Sequence, residues 1–424
     1  MKLISTFFIL SIIINCCFSV IPTSVRLAFG KNQDEVRVTW WTDDSMDSPV
    51  VLYNTEMFLP EQDSASGQEA TVMDYDTLGF HGHPTTAVLS GLKEMTQYFY
   101  TVGNKNSGEY TEVYNFTTGK INQLGEITPF TFSIFGDMGY GGKGLDSDFY
   151  TVANLYERSN DLAFNIHVGD IAYADETWDS AINGNQTVWN QFLDSINPVS
   201  SHLIYMTCPG NHDIFYDLSV YRRTWLMPTD DSYEVSWYSF DYNGVHFVGI
   251  SSEHDFLPLS EQHTWIENDL NTFRSKNPDS WIVMFAHRPF YCSTVWNWCN
   301  TTKDDLKKAF VYSLENLLYK YNVDMFISGH THSSERTLPT YDGKPLGTYS
   351  NPKATIHITV GTGGNSEGNQ HNWYPQPIWS SGYRISDNGF GLMNFINSTT
   401  LSWQFVANIN NTIVDEIFIT KGQF

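Results

Sequence analysis

Asp170 and, three positions on, Tyr173 give the first chemical hint in this chain. The run Leu162-Ala163-Phe164-Asn165-Ile166-His167-Val168 leads into Gly169-Asp170, and such a run reads as a buried parallel strand with an acid at its carboxyl end. Strand tips are where α/β sheets keep their chemistry. A free tyrosine ionises at a pH of about 10, so a phenolate at neutral or acidic pH needs a strong Lewis acid beside it. The pair points to a highly charged metal ion.

The same signature recurs along the chain. Gly136-Asp137-Met138-Gly139, Gly210-Asn211-His212-Asp213, Ala286-His287-Arg288-Pro289 and Gly329-His330-Thr331-His332 each stand just past an apolar segment. Any one of them can be a helix cap, a turn or a satisfied polar group. All of them at the same end of successive strands read as a ligand set. By charge the set divides. Asp137, Asp170, Tyr173 and one histidine supply hard, anionic oxygen suited to a trivalent ion, while Asn211 and two histidines are neutral and suit a divalent ion that shares Asp170. Two carboxylates and a phenolate leave such a pair with net positive charge, which can hold a hydroxide and an anionic substrate. Metals sharing one carboxylate sit ~3.5–4 Å apart and stabilise the entering and leaving oxygens of a displacement at phosphorus. The expected substrate is a small phosphate ester.

Those tips need strands to carry them. Strands are predicted at 130–135, 162–168, 203–208, 245–250, 281–285 and 323–327, with helices at 146–157, from Ser260 onward, and at 303–319. Segments 356–360, 391–396, 401–406 and 414–420 read as later antiparallel strands, so the expectation is an α/β or α+β sandwich of two sheets flanked by helices. Before it, alternating segments at 36–42, 49–53 and 96–102 indicate a β-sandwich over residues 20–119, and a polar linker, 120–128, separates the two regions. His81 and His83, with no acid or cysteine close in sequence, read as surface residues.

Composition narrows the class. A chain of 424 residues with 15% aromatic and 41% hydrophobic content is globular, and a formal charge of −24 argues against nucleic acid as a partner. Residues 1–19 have a basic start, an apolar centre and small residues at Cys17 and Ser19, the form of a signal peptide; the apolar centre is too short to span a bilayer and no second such run follows. The expected product is secreted or lysosomal, with no membrane span. Cleavage leaves Cys208, Cys292 and Cys299; the last two share one loop and are expected to form a disulfide, with Cys208 free. Asn-x-Ser/Thr sequons at Asn115, Asn185, Asn300, Asn397 and Asn410 are expected glycosylation sites.

The five strand-tip clusters together resemble the purple acid phosphatases, a family of calcineurin-like metallophosphoesterases, and the likeness spans nearly the whole mature chain. The preceding sandwich, fibronectin III-like in its Trp40, Leu92, Tyr98 and Tyr100 set, together with Glu335-Arg336-Thr337 and Gly389-Phe390-Gly391, looks like the family's long form. Tyr173 discriminates, since related phosphoesterases without a phenolate share the other clusters. The resemblance implies a catalytic domain over 128–424 and Fe(III) held by Asp137, Tyr173, His332 and a bridging Asp170. It implies a second divalent metal, Zn, Fe or Mn, on Asn211, His287, His330 and Asp170, and a substrate-facing His212. The reaction it implies is hydrolysis of phosphate monoesters by a metal-bound hydroxide, with His212 protonating the leaving group. Plant long forms carry histidine after the His287 strand; here the stretch is Val295-Trp296-Asn297-Trp298.

Two other functions compete with an acid phosphatase. Trp296 and Trp298 could stack a base, which would suit a phosphodiesterase or nucleotide pyrophosphatase on the same scaffold, and the N-terminal sandwich could serve a glycoprotein that acts by binding. A homodimer is compatible with either.

Overall fold

The structure is a computed structural model that describes residues 20–422 apart from 58–65, 76, 78, 122–125, 141–147, 176–182, 230–234 and 301–303. The proposed signal peptide, with Cys16 and Cys17, and the start of the predicted helix at 146 lie outside the described residues.

Two sheets face each other. In one, the parallel strands Phe130–Phe135, Phe164–Val168 and Ile204–Cys208 are flanked by an antiparallel run of Gly389–Asn397, Thr400–Ala407 and Thr412–Thr420. In the other, Val245–Gly249, Ile282–Phe285, Met325–Ser328 and Ile356–Val360 are parallel, with Tyr238–Tyr242, Ser334–Thr337 and Ser380–Ile385 added antiparallel. Both faces of the parallel strands are covered, which is why they are apolar without alternation. Aromatic rings fill the space between sheets: Phe132 and Phe164 stack at 4.8 Å, and Phe247 meets each edge-on at 5.3 Å. The helices Glu261–Lys276 and Asp305–Lys320 cover the second sheet, placing Ile266, Leu270, Phe310 and Leu314 against Val248 and Met284. Ser260 caps the first of them, its hydroxyl accepting from His263 N–H, as its place before Glu261 implies.

The N-terminal region is a β-sandwich, as expected, and one of its two sheets runs on into the catalytic sheet. Strand Thr23–Phe29 pairs in parallel with Ile204–Cys208 at Leu27 and Ile204, so that it, Val36–Thr42, His83–Leu89 and the short Thr71–Val72 extend the catalytic sheet to ten strands. The strands Pro49–Asn54, Ser66–Glu69, Gln97–Asn104, Glu109–Tyr110 and Tyr114–Thr117 form a separate sheet. The physical reason is at Ile204–Cys208, which is wholly buried and would otherwise be an open edge with unpaired backbone groups. Further ties hold the junction: Tyr100 donates to the Ser201 carbonyl, and Ser24 and the Val25 N–H bond to Asp194 and Asn197 of the helix Gln186–Ser200.

Candidate metal centre

Because the parallel strands run alike within each sheet, their carboxyl ends open together. Asp137, Asp170 and Asn211 follow strands of the first sheet; His287, His330 and His332 follow strands of the second. Glycines allow the turns to close on one another: a β-carbon at Gly210 would collide with the Asp170 carboxylate, and one at Gly329 with that of Asp137. Asp137, Asp170, Tyr173 and His330 all hold left-handed backbone, with φ of 58°, 51°, 53° and 68°. Such strain in residues with a β-carbon costs ~1–3 kcal/mol each and collects at functional sites.

All seven candidate ligands meet in one network, and all but the half-buried Asn211 are buried. His287 Nδ1 donates to the Val168 carbonyl at 2.9 Å, which turns Nε2 toward Asp170 Oδ2 (3.0 Å), Asn211 Oδ1 (3.2 Å) and His330 Nδ1 (3.2 Å). Atoms of Asp170, His287 and His330 suited to coordination lie within 4.8 Å of one another. On the other side, His332 Nδ1 donates to the Gly368 carbonyl at 3.0 Å, leaving Nε2 to the Tyr173 hydroxyl at 2.9 Å and 3.4 Å from Asp137 Oδ1. These outer hydrogen bonds fix which nitrogen is free, as they do around metal-bound imidazoles. The His330 N–H, donating to Asp137 Oδ2 at 2.8 Å, joins the two halves.

The electrostatics fit cations. Burial, with the charges of Asp137, Asp170, Glu367 and Asp213, pushes the Tyr173 hydroxyl well above its usual range. Burial opposes charge of either sign, but the carboxylates that add to the shift attract a positive ion, and an ion in contact is what would let the phenol ionise. Burial, the Arg288 guanidinium and His287 keep His330 well below the ordinary imidazole range, so it is a neutral donor. Burial favours the protonated Asp170, but His287 and His212 outweigh it and hold the carboxylate ionised.

His212 lies beside the ligands rather than among them. Its ring stacks on Tyr173 at 4.4 Å and its N–H donates to Asp170 Oδ1 at 2.8 Å. Nδ1 donates to Asp175 Oδ1 at 2.9 Å, and Nε2 stands 4.0 Å from both Asp170 Oδ2 and Glu367 Oε1. Burial opposes its charge, yet Asp170, Asp175 and Glu367 raise it to about 10. Asp175 and Glu367 had no place in the sequence reading. Neither stands directly past a strand: Asp175 lies farther along the loop that begins at Asp170, and Glu367 sits in the turn after Gly363-Gly364. Glu253, by contrast, stands beyond the tip of Val245–Gly249, and strand-tip logic would have found it; it grips the Arg288 guanidinium at 2.8 and 3.0 Å.

Other expected residues fall as follows. Cys292 and Cys299 form a disulfide and Cys208 is free; all three are buried, Cys292 beneath the Lys307 ammonium, while the loop tip at Val295 is exposed. None of Asn115, Asn185, Asn300, Asn397 and Asn410 is buried. Asn185 uses its side-chain oxygen to cap Gln186–Ser200, which leaves its amide nitrogen for a glycan. His81 is exposed, but His83 is half-buried and paired with Asp74, an acid distant enough in sequence to have been overlooked. Trp298 is buried, its indole donating to the Pro289 carbonyl at 2.9 Å, and cannot stack a substrate.

Fold and site together define a calcineurin-like metallophosphoesterase, whose family description matches residues 130–334. Two further descriptions match on either side, the purple acid phosphatase N-terminal domain at 22–118 and the iron/zinc purple acid phosphatase-like C-terminal domain at 354–416. The chain belongs to the purple acid phosphatases and is an acid phosphatase, a hydrolase. It is 29% identical to acid phosphatase type 7 of Mus musculus, over 95% of this chain and 91% of that one, and 29% identical to purple acid phosphatase 18 of Arabidopsis thaliana, over 95% and 85%. In fold it resembles a purple acid phosphatase from yellow lupin seeds, with a TM-score of 0.82 at 24% identity over 95% of this chain and 75% of that one. No helix among the described residues is long and apolar enough to cross a membrane.

Proposed function

We propose that the protein hydrolyses small phosphate monoesters at a dinuclear centre. Fe(III) would be held by Asp137, Tyr173, His332 and Asp170, and a divalent ion by Asp170, Asn211, His287 and His330. The observation that carries this reading is the convergence, in one largely buried network, of an anionic half around Tyr173 and a neutral half around His287 that meet at the Asp137 and Asp170 carboxylates. The neutral half accepts Zn, Fe or Mn alike. Two cations held there would offset the charge of a phosphate and acidify a water molecule.

The chain's own groups do the rest. Asp170, ionised and fixed by the His212 N–H, sets the spacing of the two halves. Asp175 accepts from Nδ1 of His212, so the ring presents its Nε2 proton to an oxygen arriving between Asp170 and Glu367. That proton goes from the imidazolium to the departing alkoxide, leaving a neutral imidazole that takes a proton back from water before the next turnover. The 1–19 leader, the disulfide and five unburied sequons support a secreted or lysosomal glycoprotein.

Matched esters test the reading. A monoester dianion suits two cations better than a diester monoanion does, so phenyl phosphate should turn over ~10-fold or more faster than diphenyl phosphate in kcat/KM, worth ~1.4 kcal/mol of transition-state stabilisation. Faster turnover of the diester would give the site to phosphodiester chemistry.

A further inference from the structure

Trp296 is half-buried beside this site, while its neighbour Trp298 is buried. Its ring centroid lies 6.2 Å from that of His330 and 5.8 Å from that of His332, so it stands over the seam between the two halves of the centre. The segment that carries it is held at several points. The Cys292–Cys299 disulfide closes it into a ring, Val295 N–H donates to the Asn372 carbonyl and Tyr374 N–H to that of Ser293 (both 2.8 Å), and Ser293 bonds Glu335 through both its N–H and its hydroxyl. A large side chain at a loop tip, fixed this firmly and still open to solvent beside a reaction centre, is arranged to meet a ligand.

We propose that Trp296 is a stacking platform for the leaving group and that this enzyme prefers phosphate esters whose leaving group carries a flat aromatic ring. The inference rests on the centre proposed above. Aromatic rings attract at centroid separations of about 4.5–7 Å. A ring carried one or a few bonds beyond a phosphorus held between His330 and His332 comes within that reach, whereas a polyol or sugar there gains nothing from the indole face. Both an aryl phosphate and a nucleoside monophosphate offer such a ring, the first directly on the ester oxygen and the second across a ribose.

Because aryl esters also have better leaving groups, the discriminating measurement is binding. Calorimetry with non-hydrolysable phosphonates on the metal-loaded wild type should find benzylphosphonate bound roughly 5- to 20-fold more tightly than ethylphosphonate. Trp296→Phe should keep most of that ratio and Trp296→Leu, apolar but without a ring face, should lose it, with metal content and folding unchanged. KM for phenyl phosphate, AMP and glycerol 2-phosphate then assigns the source: a rise in Trp296→Leu confined to phenyl phosphate supports aryl esters, and one confined to AMP supports nucleotides. An unchanged phosphonate ratio in Trp296→Leu, or an equal loss for all three esters, overturns the platform and leaves Trp296 as cover for the core beneath it. Failure of the proposed centre itself would show differently, as no hydrolysis of any of the three by the wild type.

Discussion

At the scale of single residues, the division of labour follows from what each side chain can offer. Six of the seven candidate ligands were legible because each is a ligand-type residue directly past an apolar strand; Tyr173 was legible because a phenol so close to a carboxylate has few other uses. The partners of His212 were not legible, since Asp175 and Glu367 reach it from loops with no periodicity. If His212 is the proton donor, His212→Ala should lower kcat by ~10²–10⁴ with alkyl phosphates, whose alkoxides leave badly without a proton, and much less with nitrophenyl phosphate. Steady-state rates on both, with metal content checked, decide it. An equal loss for both esters would make His212 a phosphate-binding residue instead.

Among elements, the strands were easier to see than the helix Gln186–Ser200. Its Trp189, Phe192, Leu193 and Ile196 are buried at helical spacing, but Pro198 in the last turn and the polar start at Asn183-Gly184-Asn185 obscure the pattern, and no helix was expected there. Strand Thr23–Phe29 also went unexpected, because its value lies in covering the edge of Ile204–Cys208, a contact between distant parts of the chain. The helix start gives a clean prediction, since Asn185 is both cap and sequon. Asn185→Ala should lose the cap and ~1 kcal/mol of stability, whereas Asn185→Asp should keep the cap while losing the glycan. Thermal melts and intact mass of the two variants check it; equal melting of both would show that the cap contributes nothing.

For the whole molecule, a chain of formal charge −24 must keep its interior ion pairs in order as pH changes. His246 is the clearest case outside the centre: it is buried, bonded to Asp241 at 2.7 Å and Asp269 at 2.9 Å, and stacked on Phe273 at 4.0 Å. Burial opposes its charge but both carboxylates outweigh it, raising the imidazole from 6.5 to about 9. Its folded value is above its unfolded one, so this contribution, at most ~3 kcal/mol, is complete below pH 6.5 and lost as pH rises through about 9. His246→Gln should therefore lower the melting temperature more at pH 6 than at pH 10; an equal gap would contradict it. The central claim is a dinuclear centre with Tyr173 as a phenolate on Fe(III), and the most direct test is metal analysis of the purified protein together with its visible spectrum. The account predicts about two metal ions per chain, at least one of them iron, and a charge-transfer band in the visible that Tyr173→Phe bleaches. A colourless, iron-free wild type with full phosphatase activity would contradict it.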